Sequence, residues 1–345
     1  MSSRPQKKVK VAVQGSKNDT QNVALKSSIP NTQKSIVTAK GKERETPADS
    51  DAPLRSPTKG KEREDNTRPP TSFKVVAGSY EKLLYGLDGI ITIGENSKLS
   101  FELKPMFIFP AHVSCIKAVA ASPQGGKWLA TGSADEIIKV WDLRRRKEIG
   151  GLMHHEGSIT HLVFPSRSHL LSASEDGSLC LFRARDWAVL RSLKGHKGHV
   201  NAVAVHPSGK VALSVGKDRA LRMWDLMRGK GVASTKLDKE GEIVRWSSDG
   251  SKFGVQSGSN IQIYATNMDL LWTISHSSRI HDIKFVKLHD DDAEVLLVGA
   301  EDKMISVYRV PTESSKSPTI LSRMVGHVNR YTTSSKSYLL STYTL

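Results

Sequence analysis

Residues 193–226 of this 345-residue chain read LKGHKGHVNAVAVHPSGKVALSVGKDRALRMWDL. The segment contains three short runs rich in valine, alanine and leucine, which begin near Val200, Val211 and Ala220. Gly, Pro, Ser and Asp residues separate these runs, and such residues favour tight turns. The segment therefore predicts antiparallel strands joined by the turns HPSGK and Lys217-Asp218-Arg219.

The same pattern recurs along the chain at nearly constant spacing. Aromatic residues end successive units at Trp141, Phe182, Trp224, Tyr264 and Tyr308, at intervals of 41, 42, 40 and 44 residues. A period in the low forties with a Trp-Asp ending is typical of WD40 repeats, in which each unit forms one blade of a β-propeller. Helical periodicity is nearly absent, so we predict an all-β WD40 β-propeller. Propellers of this type usually hold partners and rarely catalyse reactions.

The two ends of the chain suggest the domain boundaries. Residues 1–70 are rich in Lys, Ser, Thr and Pro and contain no aromatic residue, which predicts a disordered basic tail. We expect the propeller over residues 71–330, with an atypical first blade. Gly326-His327 opens a further unit that has no Trp-Asp ending. We therefore expect a seven-bladed propeller with an incomplete last blade, most of which is replaced by an atypical C-terminal tail at 331–345. Six blades plus a fragment are the alternative.

Two sets of residues fit the buried hydrogen-bonded tetrad of WD repeats. That tetrad is a network of hydrogen bonds among four side chains: a His, a Ser or Thr on a strand, an Asp in a turn and the Trp. Ser, His and Asp also occur in catalytic triads, but an active site does not recur every forty residues, whereas a structural tetrad does. The sets that we interpret as structural are His196, Ser214, Asp218 and Trp224, and His112, Thr131, Asp135 and Trp141.

The chain is basic, with 51 Lys and Arg residues against 35 Asp and Glu residues and a formal net charge of +16. Many of the cations lie in the loops that follow the Trp-Asp strands of three successive units, and such loops leave one face of a propeller. We predict an anionic-partner face there, suited to RNA phosphates or an acidic protein. Independently solvated loops are the alternative. The residues concerned are Arg144, Arg145, Arg146, Lys147, Arg183, Arg185, Arg228 and Lys230.

Motifs that signal chemistry are absent from the sequence. It contains no P-loop, no GxSxG, no HExxH and no CxxC. We therefore predict a non-enzyme with no catalytic residue, no cofactor and no metal site. Cys115 and Cys180 lie in apolar runs and are expected to be reduced core residues. No run approaches the roughly 20 apolar residues that span a bilayer, so no membrane association is expected.

Several segments resemble one particular WD-repeat family. They are GSYEKLLYGL at 78–87, FPAHVSCIKAVAAS at 109–122, HEGSITHLVF at 155–164 and, most specifically, the block at 193–250. The chain resembles the p21-activated-kinase-interacting proteins, whose fungal members are the maintenance-of-killer factors. The resemblance covers roughly residues 73–330.

The resemblance implies a non-catalytic scaffold in the nucleolus and nucleus. Members of this family act in assembly of the large (60S) ribosomal subunit and in pre-rRNA processing. The implied partners are pre-60S assembly factors and ribosomal-protein-like proteins, with direct contact to pre-rRNA left open. A signalling adaptor that binds and negatively regulates a p21-activated kinase is the alternative. A substrate receptor of a ubiquitin ligase is a third class, for which the sequence holds no specific feature.

Overall fold

The computed structural model describes residues 72–93, 99–288, 294–311 and 316–325, together with the backbone of residues 341–343. The predicted tail at 1–70 and most of the predicted tail at 331–345 lie outside these residues. Every regular element in the described part is a β-strand. The all-β prediction is therefore confirmed.

The strands follow one another through short turns. In chain order they are β1 (Ser72–Gly78), β2 (Leu83–Ile93), β3 (Leu99–Pro110), β4 (Ile116–Ala121), β5 (Trp128–Ser133), β6 (Ile138–Asp142), β7 (Lys147–Leu152), β8 (Ile159–Ser166), β9 (His169–Ser174), β10 (Ser178–Arg183), β11 (Val189–Lys194), β12 (Val200–Val205), β13 (Val211–Gly216), β14 (Ala220–Asp225), β15 (Lys230–Lys236), β16 (Ile243–Trp246), β17 (Lys252–Ser257), β18 (Asn260–Ala265), β19 (Leu270–Ser275), β20 (Ile280–Lys287), β21 (Glu294–Ala300), β22 (Met304–Arg309), β23 (Thr319–Val325) and β24 (Ser341–Tyr343).

These strands form six antiparallel sheets of four strands each. The second to sixth sheets each consist of four consecutive strands, from β4–β7 to β20–β23, in sequence order. The first strands of these five sheets, β4, β8, β12, β16 and β20, pack against one another in succession. This arrangement is that of a β-propeller, with one sheet for each blade.

The first sheet differs from the others, because its order is β24-β1-β2-β3. Strand β24 pairs antiparallel with β1, and Val75 lies opposite Thr342. The prediction of seven blades is therefore wrong, since the described strands form six. The physical reason is that β1, β2 and β3 leave one edge of their sheet free. The last described strand, β24, pairs with that edge instead of starting a seventh sheet.

The turns predicted between the strands of the fourth sheet are confirmed. In the HPSGK turn the Gly209 N–H donates to the His206 carbonyl at 2.8 Å, and Gly209 has a φ of 71°. That φ is in the left-handed region, which glycine adopts without a steric penalty. In the next turn the Arg219 N–H donates to the Gly216 carbonyl at 3.1 Å.

The core consists of apolar layers between neighbouring sheets. One such layer joins the second and third sheets and contains Ile138, Ile159, Leu170 and Phe182. Corresponding layers join the first sheet to the second, the third to the fourth, the fourth to the fifth and the fifth to the sixth. Within the described residues no such layer joins the sixth sheet to the first.

Glycines allow two of these sheet pairs to approach closely. A Cβ atom on Gly132 of β5 would lie 2.4 Å from Ile159 Cγ2 and 2.8 Å from Ile159 Cβ in the third sheet. A Cβ atom on Gly78 of β1 would lie 2.4 Å from Ile116 Cγ2 in the second sheet. In both pairs an isoleucine therefore packs directly on the backbone of the preceding sheet.

We expect the substitution Gly132→Ala to lower the free energy of unfolding by about 1–3 kcal/mol, because the added methyl group overpacks the contact with Ile159. Gly150→Ala in β7 is the matched control, since a Cβ atom there would meet nothing within 4 Å. The control should change the free energy by no more than about 0.5 kcal/mol. Urea unfolding of both variants measures this difference, and equal values would contradict the close contact at Gly132.

Candidate partner-binding face

The structure brings the first predicted tetrad together in the fourth sheet. His196 Nδ1 lies 3.0 Å from Asp218 Oδ1, and His196 Nε2 lies 2.7 Å from Ser214 Oγ. The Trp224 indole N–H donates to the same Ser214 Oγ at 2.8 Å. Because Ser214 Oγ accepts from Trp224, its own hydroxyl hydrogen is available to the His196 Nε2 lone pair. The imidazole is then neutral and donates from Nδ1 to Asp218.

The second predicted tetrad has the same geometry in the second sheet. His112 Nδ1 lies 3.0 Å from Asp135 Oδ2, and His112 Nε2 lies 2.8 Å from Thr131 Oγ1. Trp141 Nε1 donates to Thr131 Oγ1 at 3.0 Å. Asp135 also accepts the backbone N–H of Ile137 at 3.1 Å, which holds the turn between β5 and β6. All four side chains are therefore engaged in holding one sheet together.

Sequence reasoning missed a third network, which lies in the third sheet. His155 Nδ1 lies 2.8 Å from Asp176 Oδ2, and His155 Nε2 lies 2.7 Å from Ser172 Oγ. Phe182 takes the place of the tryptophan. The signal was present in the spacing, since 21 residues separate His155 from Asp176 and 22 separate His196 from Asp218.

The fifth and sixth sheets depart further from the pattern. In the sixth, His276 Nε2 lies 3.5 Å from Asp302 Oδ2 and 3.4 Å from Ser306 Oγ, which belongs to β22. In the fifth, the buried Gln256 donates from Nε2 to the carbonyls of Gly258 and Ile280 at 2.9 and 3.1 Å. The fifth and sixth sheets thus carry different polar side chains at the related positions, with hydrogen bonds of their own.

The histidines of the networks in the second, third and fourth sheets differ in charge. Burial lowers the pKa of His112 and of His196 below the usual value, and Asp135 and Asp218 oppose this shift without overcoming it. Burial also disfavours the charged form of His155, but interactions with Asp176 and Cys180 outweigh it and raise its pKa to about 9. Phe182 offers no N–H, so Ser172 Oγ is free to accept a hydrogen bond from a protonated His155. His155 is therefore the cationic member of the set.

The raised pKa of His155 makes a pH-dependent contribution to stability. The contribution is fully present below the usual histidine pKa of about 6.5 and is lost as the pH rises through about 9. We expect Asp176→Asn to lower the free energy of unfolding by about 1.5–3 kcal/mol near pH 7. The loss should be clearly smaller at about pH 10, because the wild-type imidazole is then neutral.

Asp218→Asn is the matched control, because the pKa of its partner His196 is lowered and that imidazole is neutral throughout this range. Its effect on stability should not decline between these two pH values. Urea unfolding at both pH values gives the comparison. The same pH trend in both variants would show that His155 is not the cationic member.

The structure places the eight predicted cations at equivalent positions in three adjacent sheets. They lie in or beside the hairpins β6–β7, β10–β11 and β14–β15, which join the third and fourth strands of the second, third and fourth sheets. All eight side chains are exposed. The strands of each hairpin end at corresponding places, so these loops leave the sheets on the same side. We call the eight residues the cationic face.

An aspartate in each hairpin holds one of the arginines. Arg145 Nε lies 4.0 Å from Asp142 Oδ2, Arg183 Nε donates to Asp186 Oδ1 at 2.9 Å, and Arg228 Nε lies 3.7 Å from Asp225 Oδ2. The Asp142 carboxylate also accepts the backbone N–H groups of Arg144 and Arg145, so it shapes the loop. Within the described residues no acidic partner is found for the remaining cations of the face, which are Arg144, Arg146, Lys147, Arg185 and Lys230.

A cavity beside the first of these hairpins was not predicted. It lies between the first and second sheets, and Phe107, Phe109 and Trp141 are among its walls. Its aromatic residues from β3 belong to the atypical first sheet, where the repeat pattern offered no guide. The described part of the chain holds no group of three His, Cys, Asp or Glu side chains arranged to bind a metal ion. It also holds no helix long and apolar enough to cross a membrane.

The family model described as "WD domain, G-beta repeat" matches residues 103–142, 146–183 and 187–225. Together with the six sheets, these matches define the class: the chain is a WD-repeat β-propeller protein. Within this class it is homologous to the p21-activated protein kinase-interacting proteins and MAK11.

Three relatives illustrate this homology. The p21-activated protein kinase-interacting protein 1-like protein of Danio rerio is 36% identical over 242 residues, which cover 70% of this chain and 62% of the relative. Protein MAK11 of Saccharomyces cerevisiae is 34% identical over 260 residues, which cover 68% of this chain and 62% of the relative. Shk1 kinase-binding protein 15 of Schizosaccharomyces pombe is 29% identical over 256 residues and 71% of each chain. The chain thus spans about three fifths of the length of the first two.

Proposed function

We propose that this protein is a non-catalytic scaffold in assembly of the large (60S) ribosomal subunit and in pre-rRNA processing, and that it acts in the nucleolus. Its partners under this proposal are pre-60S assembly factors and ribosomal-protein-like proteins, with the cationic face turned toward an anionic surface such as pre-rRNA. The homology to MAK11 is consistent with this role.

The observation that carries the proposal is the set of exposed cations on three equivalent hairpins. Five of the eight have no acidic partner among the described residues, so their charge is available to a ligand. Repeated cations on equivalent hairpins of three neighbouring sheets suit the regular charges of a phosphate backbone, where contacts give affinity with little sequence selectivity.

The buried Ser, His and Asp side chains support a binding role over a catalytic one. Ser214 Oγ both accepts from Trp224 and lies against His196, with the His196 imidazole 0% exposed. A nucleophile needs access to substrate, and this hydroxyl is fully buried. The repetition of the network in neighbouring sheets is accounted for by stability alone.

The proposal predicts that the unpartnered cations are needed for association with pre-60S particles. Arg144→Glu, Arg146→Glu, Arg185→Glu and Lys230→Glu in one variant should reduce co-sedimentation with these particles about tenfold or more, because each reversal removes a cation and adds an anion. Sucrose-gradient sedimentation of nucleolar extracts, with the tagged full-length chain, measures this. Depletion of the protein should also raise the level of large-subunit rRNA precursors.

The matched control reverses four exposed cations that lie away from the three hairpins. They are Lys194, Lys197, Lys217 and Arg219, which lie at the opposite ends of the strands. The two variants carry the same change in net charge, so the control should retain co-sedimentation. Unchanged co-sedimentation of the first variant, or an equal loss of co-sedimentation in both variants, would contradict the role of the cationic face. Normal precursor levels and a normal 60S to 40S ratio after depletion would refute the assembly role.

A second candidate is a signalling adaptor that binds and lowers the activity of a p21-activated kinase. The names of the zebrafish and fission-yeast relatives favour it, since both are described as interacting with a kinase. A pull-down of the tagged chain distinguishes the candidates. Recovery of the kinase, together with a cytoplasmic location of the tagged chain, supports the adaptor. Recovery of pre-60S factors, together with a nucleolar location of the tagged chain, supports the scaffold.

A further inference from the structure

The cavity between the first and second sheets has a volume of about 480 Å³. This volume falls within the range of about 300–1,000 Å³ that is usual for ligand sites. Phe107 and Phe109 of β3 and Trp141 of β6 form an aromatic wall. The ring centroids of Phe109 and Trp141 are 5.2 Å apart, and those of Phe107 and Phe109 are 5.5 Å apart. The interior therefore suits an apolar or aromatic group.

The aromatic wall is held in place by its surroundings. The Trp141 indole is fixed by its hydrogen bond to Thr131 at 3.0 Å. The Phe107 ring occupies the space above Gly86, where a Cβ atom would lie 2.2 Å from the ring. A ligand would thus meet rings that are already ordered, so binding costs little additional conformational entropy.

The residues that line the cavity include four cations, and the three from the cationic face are exposed and therefore lie at its opening. Arg144, Arg146 and Lys147 of the cationic face line it from the second sheet, and Lys74 lines it from β1. Asp142 is the one acidic residue among the described lining residues. It is buried and its carboxylate already accepts the N–H groups of Arg144 and Arg145. The opening is therefore strongly positive.

We propose that this cavity binds a short acidic segment of a partner protein, with one bulky apolar side chain in the cavity and carboxylates against the cations at its opening. This inference goes beyond the proposed function, which concerns the cationic face as a whole. The apolar wall favours a protein segment over a nucleic-acid strand. A single strand of nucleic acid needs open aromatic faces on which bases can stack. Here the rings pack on one another, with interplanar angles of 36° and 57°, which suits an apolar side chain anchored beside charged residues, as in peptide sites.

A displayed library of random twelve-residue peptides, selected on the immobilised full-length chain, tests the inference. Enriched peptides should combine an aromatic or leucine residue with neighbouring Asp or Glu residues. Replacing that apolar residue by alanine in a synthetic, fluorescein-labelled copy should weaken binding about tenfold or more, as measured by fluorescence anisotropy.

Two variants test whether the selected peptide binds in this cavity. Met106→Glu puts a carboxylate on a lining residue that is 40% exposed, and Arg144→Glu, Arg146→Glu and Lys147→Glu reverse the charge at the opening. Each variant should weaken the peptide about tenfold. The matched control is Arg185→Glu, Arg228→Glu and Lys230→Glu, which makes the same change of charge on the other two hairpins and should leave affinity within about twofold. Thermal unfolding confirms that each variant is folded.

Three outcomes would overturn the inference: no enrichment, enriched peptides without the acidic and apolar combination, or equal effects of the cavity variants and the control. Binding of a twenty-nucleotide uridine oligomer that the cavity variants abolish, without any peptide bound, would assign the opening to nucleic acid instead and would also overturn it. Co-sedimentation with pre-60S particles is a separate measurement, so failure of one proposal is distinguishable from failure of the other.

Discussion

The hydrogen bond between a buried histidine and a turn aspartate is the interaction on which the second, third and fourth sheets depend. In the fourth sheet His196 precedes β12, Asp218 lies between β13 and β14, and Ser214 and Trp224 lie on β13 and β14. One network thus ties the entry of the sheet to a turn and two strands. A buried polar group without a partner costs about 1–3 kcal/mol, so each member of the network holds the others in place.

The repeated pattern of strands and turns could be predicted from the sequence because it is local. Turn residues such as Gly209 and Asp218 lie at fixed offsets from the Trp-Asp ending, and the structure has turns at these places. The number of blades could not be predicted in this way. The pairing of β24 with β1 depends on a free sheet edge some 270 residues earlier in the chain, and no local pattern reports it.

The candidate site was predictable in its charges but not in its shape. Equivalent positions in successive repeats were enough to place the eight cations on one side of three sheets. Their pairing was not evident, because it depends on how Asp142, Asp186 and Asp225 fold back in each hairpin. The cavity arises between two sheets of which one, the first, lacks the repeat pattern. The His155 network was not predicted because its unit ends in Phe182, which cannot supply the indole N–H of the tetrad.

The completion of the first sheet by β24 has a consequence for how the protein folds. The second to sixth sheets use consecutive strands, so each can form as its own stretch of roughly forty residues leaves the ribosome. Of the six described sheets the first is synthesised earliest, but it remains three-stranded until Ser341–Tyr343 arrive to pair with β1. This contact has the largest sequence separation in the described fold, and closing so long a loop is entropically costly and slow. The N-terminal sheet is therefore expected to be the last to reach its final form, with the β1 edge open to competing strands until then.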